Sequence, residues 1–218
     1  MILQNAVLSV ITSVVVANSP MVEGINAMVP RSEFITQLGD SRFLKKTQDT
    51  VVLNVPYVNQ MEDLPEDQKV VYTTTACGPA ALTMGLNYLG YDLELIDVIE
   101  KLPANVYVRG RYFMKLNDGP LTFGEQAVSF KNDPAEIFKV LNDGYPVVLN
   151  VQNYDGFTGH ALVAVGMKGF DGENAQSLIV HDPFVCAYRE FEYVNDNILR
   201  QPEGYLLAIG TLDPFYVK

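Results

Sequence analysis

The chain has 218 residues, of which 48% are apolar and 19% are charged, and it carries a net charge of −11. This composition supports a sizeable core in one domain, or in one domain with an extension, and it excludes a globally disordered chain. The negative charge argues against a nucleic-acid partner, because phosphate binding needs a basic surface.

The chain contains two cysteines and two histidines. These are too few for a structural zinc site built from Cys and His ligands of one chain, and too few for a disulfide-dense scaffold. We predict no metal site and no cofactor. The two cysteines, Cys77 and Cys186, are enough for one disulfide, and that bond would block Cys77 as a nucleophile.

The N-terminus carries an apolar stretch at Ala6–Ala17. It is too short and too rich in hydroxyl groups to span a bilayer, so we predict no integral membrane segment. It fits the apolar part of a signal peptide covering residues 1–19, which would make the protein secreted or part of the cell envelope. However, no Lys or Arg precedes it, and its β-branched residues suit a strand equally well, which would leave the protein cytoplasmic.

The chain shows no internal repeat and no long flexible linker. The polar stretch Gln37–Thr50 predicts a division into an N-terminal extension, residues 1–44, and a main domain, residues 45–218. We expect the extension to be dispensable for the functional site described below.

The main domain begins with a predicted strand, Val51–Val55, which Pro56 ends. Three helices are then predicted from capping residues and apolar spacing: Cys77–Leu89 closed by Gly90, Leu93–Leu102 capped by Asp92, and Pro134–Asn142 stopped by Gly144. Residues 103–131 are rich in glycine and aromatic side chains, and they fit either short strands or a long substrate loop.

The last third of the chain is rich in strands. Alternation and turn residues predict strands at Pro146–Gln152, His160–Val165, Ser177–Val180 and Gly204–Ile209, with turns at Asn153–Gly159 and Lys168–Asn174. Helices followed by an antiparallel sheet are typical of the α+β class, which is the predicted fold class.

Cys77 lies at the start of the first strong helix, with Pro79 in its first turn. The positive end of the helix dipole favours the thiolate, which is the nucleophilic form of cysteine. Free cysteine also serves often as a small buried hydrophobe, so the position alone is compatible with a core residue.

A base and an orienting group can be found downstream. If the strands around His160 and Asp182 form a hairpin, the Asp182 carboxylate can reach the His160 imidazole and hold its tautomer. A structural histidine and a turn-forming aspartate are the alternatives for these two positions. His181 is the rival base, but it points to the other face of the strand from Asp182, and Asp155 is the less favoured orienting group.

Acyl transfer also needs donors for the oxyanion. The backbone N–H of Cys77 is one candidate, and the side chain of Gln60 is the second. Asn59 is the alternative to Gln60, and either residue could instead be an ordinary polar loop residue.

These residues carry a resemblance to the C39-like peptidase family, a branch of the papain-like cysteine proteases. The matching segments are Val55–Gln60, Ala76–Gly90, Gly144–Val148, Gly159–Gly166 and His181–Pro183. The resemblance implies a papain-like fold with the nucleophile helix packed on an antiparallel sheet. It also implies a peptide or protein substrate and the roles of oxyanion donor, nucleophile, base and orienting group for Gln60, Cys77, His160 and Asp182, respectively.

The chain departs from the family in two places. Residues 61–76, with the acidic insert Met61–Asp67, make a longer separation between Gln60 and Cys77 than bacteriocin-processing members have. The chain also shows no transporter or ATPase region, so processing of double-glycine leaders is not implied. The sequence therefore predicts a cysteine peptidase or amide hydrolase. The alternatives are an acyltransferase with the same triad and a non-catalytic peptide-binding module on the same fold.

Overall fold

A computed structural model describes residues 41–111, 114–130, 133–154, 157–192 and 206–209, with the backbone alone at 130, 152–154, 157–158 and 206–209. The apolar stretch near the N-terminus and Asp155 lie outside these residues. In chain order the elements are β1 (Phe43–Lys46), β2 (Val51–Leu53), α1 (Glu66–Tyr72), α2 (Cys77–Tyr88), α3 (Leu95–Lys101), a 3-10 turn (Pro120–Phe123), β3 (Ala127–Phe130), α4 (Pro134–Asn142), β4 (Val147–Tyr154), β5 (Phe157–Lys168), β6 (Ser177–Asp182), β7 (Cys186–Glu192) and β8 (Leu206–Ile209).

The two helices with the strongest terminal signals form as predicted. Helix α2 ends at Tyr88, and Gly90 follows with φ +100°, a conformation that favours glycine. Helix α4 begins after Asp133, whose carboxylate accepts hydrogen bonds from the backbone N–H groups of Ala135 and Glu136.

Helix α3 corrects one prediction. It begins at Leu95, and its cap is Glu94 rather than Asp92. The Glu94 side chain accepts from the N3 backbone N–H, and the Asp97 side chain accepts from the Glu94 backbone N–H. This reciprocal capping box satisfies two donors at once, which a cap at Asp92 would not do.

Three elements were not predicted. Helix α1 begins at the end of the acidic insert, and β1 forms within the polar stretch that suggested the division of the chain. Strand β7 returns along β6 after a tight turn. The predicted boundary between residues 44 and 45 falls inside β1, and residues 1–40 lie outside the described part, so the two-part division stays a prediction.

The described strands form one antiparallel sheet centred on β5. Strand β5 pairs with β4 over its first part and with β2 at its end, while β6 pairs along its other edge. Strand β6 in turn pairs with β7. The hairpin predicted from the sequence is therefore present, although β5 begins at Phe157, before His160. Strand β4 also runs two residues into the predicted turn Asn153–Gly159, as far as Tyr154.

The core lies between this sheet and the helices. Helix α2 packs against β5 and α3, and α4 packs against β2, β4 and β5. Within α2, every residue from Gly78 to Leu86 is buried, whereas Cys77 at its first position is partly exposed. This packing places the start of α2 beside β5.

Candidate active site

The start of α2 places the thiol of Cys77 at the boundary between core and solvent. Ala76 precedes the helix with no side-chain cap, and Pro79 occupies the first turn, where no backbone N–H is needed. The N-terminal N–H groups and the helix dipole favour negative charge at this point.

Residues 103–111 and 114–119 lie beside the same helix end. Met114 pairs with Tyr107 in an isolated bridge, and the Tyr107 hydroxyl lies 3.3 Å from Oγ1 of Thr75. A Cβ on Gly78 would lie 2.9 Å from the sulfur of Met114. Glycine at position 78 therefore lets this loop pack directly beside Cys77, a contact that the sequence did not reveal.

His160 and Asp182 meet across β5 and β6. Val163 pairs with His181, so Leu162 lies opposite Asp182, and His160 shares the face of Leu162. Nε2 of His160 lies 2.8 Å from Oδ1 of Asp182, and these side chains are 1% and 0% exposed. Nδ1 is then the ring nitrogen available to the Cys77 sulfur.

The pKa values of Cys77 and His160 are shifted in opposite directions. Burial alone would raise the pKa of Cys77, but the hydrogen bond and positive charge of His160, with the backbone N–H groups of Ala161 and Gly78, lower it below its ordinary value. Burial alone would lower the pKa of His160, but hydrogen bonds and negative charge from Asp182 and Cys77 raise it to about 9. This environment favours a thiolate–imidazolium pair over the neutral pair.

His181 is held by the scaffold. Its Nε2 lies 3.0 Å from the carbonyl oxygen of Val55, and its Nδ1 accepts the backbone N–H of Tyr188 at 3.1 Å. Because Nδ1 accepts a hydrogen bond, Nε2 is the ring nitrogen assigned as the donor to Val55, and the ring is fully buried. Both nitrogens are occupied, so His181 contributes to the packing of β6 on β7.

Gln60, the predicted second oxyanion donor, and Asn59, its alternative, occupy different environments. Gln60 is 1% exposed, and its Nε2 donates to the carbonyl oxygen of Thr73 at 2.6 Å, while its backbone N–H donates to Pro183. Asn59 instead closes a turn, in which its Oδ1 accepts the backbone N–H groups of Met61 and Glu62. Gln60 thus links the segment before α2 to the end of β6.

The sequence did not predict the role of two side chains beside Asp182. Arg189 on β7 donates from Nη1 to Oδ2 of Asp182 at 3.2 Å, and the Tyr57 hydroxyl donates to the Asp182 backbone carbonyl at 2.8 Å. Tyr57 lies in the segment Val55–Gln60, which carries part of the family resemblance, so the sequence could have pointed to it. The sequence did not point to Arg189, because β7 was not predicted.

Three further points of the sequence analysis concern a disulfide, a metal site and a membrane-spanning segment. Both Cys77 and Cys186 are free thiols, so the disulfide that arithmetic allowed is not formed. Among the residues described, no three His, Cys, Asp or Glu side chains are grouped so as to hold a metal ion. In the same part of the chain, the helices are all too short or too polar to cross a bilayer.

A model of the Peptidase C39-like family matches residues 52–196, a region that includes α2, β5 and β6. The chain belongs to the Peptidase C39-like family. This membership confirms the resemblance seen in the sequence. The observed architecture, with α2 packed on an antiparallel sheet that carries His160 and Asp182, likewise confirms the predicted α+β, papain-like fold class.

Among solved structures, the chain is similar to the peptidase domain of Streptococcus ComA, a bi-functional ABC transporter involved in a quorum-sensing pathway. The two are 18% identical, the match covers 64% of this chain and 93% of that domain, and the TM-score is 0.47. No protein with a curated description matches this chain. Membership of the family supports a peptidase-type function in general terms.

Proposed function

We propose that the protein is a cysteine peptidase that hydrolyses an amide bond of a peptide or protein through an acyl-enzyme intermediate. One observation carries this proposal: the buried His160, hydrogen-bonded to Asp182, lies against the partly exposed Cys77 at the start of α2. A nucleophile, a base and an orienting group in one contiguous set are what acyl transfer requires.

In the first half of the reaction, the Cys77 thiolate attacks the carbonyl carbon and forms a C–S bond. The carbonyl oxygen becomes an oxyanion, which the backbone N–H of Cys77 stabilises at the helix start. The His160 imidazolium then gives its proton to the amide nitrogen, the C–N bond breaks, and the amine leaves. The acyl group remains on Cys77 as a thioester.

In the second half, water is the nucleophile. Neutral His160 takes a proton from the water while the water oxygen attacks the thioester carbon, and the C–S bond breaks. The acid product leaves, and the thiolate–imidazolium pair is restored. Asp182 holds the ring through Nε2 in both halves and stabilises the imidazolium.

Gln60 is proposed as the second oxyanion donor. A primary amide has two N–H bonds, and one of those on Gln60 is engaged by the Thr73 carbonyl. The other remains for the oxyanion, while the bond to Thr73 keeps the amide group in one orientation. This arrangement supports a donor that is positioned before substrate binds.

The experiment incubates the full chain with a mixed peptide library and identifies new N-termini by mass spectrometry. We expect cleavage by the unchanged protein and by Cys186→Ala, and none by Cys77→Ala or His160→Ala, all with matching far-UV circular dichroism. Acyl transfer to an added amine with no hydrolysis would identify a transferase. Peptide binding without turnover would identify a binding module and would refute the proposal.

A further inference from the structure

Asp182 is held from two sides by different groups. Its Oδ1 receives Nε2 of His160 at 2.8 Å and the backbone N–H of Phe184 at 3.0 Å. Its Oδ2 receives Nη1 of Arg189 at 3.2 Å. Asp182 is 0% exposed and Arg189 is 5% exposed, so this pair lies within the core beneath the site. The carboxylate can turn away from His160 only by giving up the guanidinium.

A bulge in β7 decides that Arg189 occupies this position. Val180 pairs with Arg189 and Asp182 pairs with Cys186, so β7 has one more residue than β6 between the two pairs. Val180 and Asp182 point to one face of β6, and Arg189 joins that face. In an uninterrupted register Tyr188 would lie opposite Val180 and would take the place of Arg189.

The bulge is held by contacts on the other face. Tyr188 has φ +52°, a left-handed conformation that is unfavourable for a bulky residue unless its surroundings impose it. Its backbone N–H donates to Nδ1 of His181, and its ring meets the His181 ring edge-on at 4.5 Å between centroids. His181 thus fixes the register that brings Arg189 to Asp182.

The charge of the buried set gives Arg189 a consequence for chemistry. When Cys77 is a thiolate and His160 an imidazolium, these two groups and the Asp182 carboxylate carry one net negative charge. Burying an unbalanced charge is costly, and the cheapest escape is to protonate the thiolate. The guanidinium balances the set, because arginine stays charged at every pH considered.

The other titratable groups that face Asp182 do not supply this charge. Tyr57 reaches its backbone carbonyl, and burial together with the charge of Asp182 raises the tyrosine pKa far above neutrality. Burial, followed by the charge of Asp182, raises the pKa of the Cys186 thiol as well, although Arg189 acts in the opposite direction. Both groups are neutral at pH 7.

We infer that Arg189 is a positioning residue of this site, which acts through Asp182 by holding its carboxylate ionised and aimed at His160. The inference rests on the proposed function, in which His160 and Cys77 work as a pair. Arg189 thereby joins Cys77, His160 and Asp182 as a fourth residue of the site. A strand bulge, and not a sequence motif, places it there.

The test measures alkylation of Cys77 by iodoacetamide across pH, with the labelled peptide located by mass spectrometry. We expect Arg189→Met to move the acid limb of the Cys77 profile upward by about one pH unit, since an opposite charge has been removed from the set. Arg189→Lys keeps a charge but loses the planar fork, so we expect a smaller shift in the same direction.

The matched control is Lys168→Met. Lys168 forms an ion pair with Glu190, the β7 neighbour of Arg189, at 2.8 Å. This variant removes a cation paired with the same strand but not with Asp182. We expect it to leave the Cys77 profile unchanged, even where it lowers the melting temperature.

A double-variant cycle tests whether Arg189 acts through Asp182. At about pH 6, we expect Arg189→Met to slow Cys77 alkylation about tenfold in the unchanged chain, but less than about threefold in an Asp182→Asn chain. The effect is smaller in the Asp182→Asn chain because that chain lacks the carboxylate that Arg189 positions. Equal effects in the two backgrounds would overturn the inference.

The remaining outcomes are equally decisive. A lower melting temperature with an unmoved Cys77 profile would make Arg189 a structural residue and would overturn the inference. If Arg189→Met does not fold, the shift in Arg189→Lys decides in the same way. The readout needs no substrate. If the Arg189 variants show the expected shift but the unchanged protein cleaves nothing, the proposed function alone is refuted.

Discussion

The same side-chain type meets two opposite environments at Cys77 and Cys186. At Cys77 the His160 hydrogen bond and the neighbouring backbone N–H groups outweigh burial, and the pKa of the thiol falls. At Cys186 burial and the negative charge of Asp182 raise the pKa of the thiol. One reagent can therefore compare a reactive and an unreactive thiol within one molecule.

We expect iodoacetamide to label Cys77 at least about tenfold faster than Cys186 at neutral pH, because only thiolate reacts. The measurement is the rate of labelling of each cysteine peptide, followed by mass spectrometry. His160→Ala should bring the Cys77 rate down toward that of Cys186. Equal rates in the unchanged protein would contradict the environment described for Cys77.

The raised pKa of His160 predicts where turnover is lost at alkaline pH. The imidazolium that protonates the leaving amine persists up to about pH 9 and disappears above it, so kcat for a cleaved peptide should fall through that value. The measurement is kcat against pH with the fold monitored by circular dichroism. A decline centred near pH 6.5, the usual histidine value, would show that Asp182 and Cys77 do not act on the ring.

Gln60→Ala tests the second oxyanion donor. We expect kcat to fall by roughly 10²–10³-fold with little change in KM, because the contact strengthens in the transition state. Gln68→Ala is the matched control, since the Gln68 side chain donates to its neighbour Asp67 on α1. A large rise in KM with unchanged kcat would make Gln60 a residue for substrate binding.

At the scale of elements, β5 organises the site because it pairs along both edges. Its pairing with β6 slips by one residue between Ala164 and Gly166, and its end is covered by β2. Gly166 lies where β2 approaches most closely: a Cβ there would lie 2.8 Å from the backbone oxygen of Val51. Glycine at this position allows β2 and β5 to pair.

We expect Gly166→Ala to lower the free energy of unfolding by roughly 1–3 kcal/mol, because backbone atoms must move to admit the methyl group. Gly159→Ala is the control on the same strand, since a Cβ there meets nothing within 4 Å. That change should stay within about 0.5 kcal/mol. Urea unfolding of both variants makes the comparison, and equal stabilities would contradict the close approach of β2.

At the scale of the whole molecule, β1 ties residues before the predicted domain boundary to the core. Phe43 and Leu44 are each 7% exposed, and β1 pairs with β2. The Lys46 ammonium also donates to the carbonyl oxygen of Asn142 at the end of α4, at 2.6 Å. The main domain therefore needs residues that the polar composition of Gln37–Thr50 assigned in part to the extension.

We expect a chain beginning at Ser41 to fold and to keep the reactivity of Cys77, whereas a chain beginning at Thr47 should be strongly destabilised. Losing the buried Phe43 and Leu44 removes roughly 3–6 kcal/mol of apolar burial and leaves the edge of β2 unpaired. Thermal unfolding and Cys77 labelling of the two chains provide the measurement. Equal behaviour would show that β1 is dispensable and that the domain begins after it.

The sequence by itself determined the elements whose signals are local. The ends of α2 and α4 depend on Gly90 and on Asp133, which lie within a turn of the helices they close. Strand alternation likewise placed His181 on the face opposite to Asp182, since residues on one face of a strand are two apart. These rules act within a few residues, so they can be read without knowing the partners.

The contacts between segments that are distant in the sequence were decided only by the tertiary structure. The cap at Glu94 depends on a reciprocal bond, and the placement of β1 depends on pairing with β2. Arg189 reaches Asp182 because β7 is bulged at Tyr188, and a bulge reverses the face of every residue beyond it. Strand register is a property of two segments together, so no periodicity within β7 could have revealed this contact.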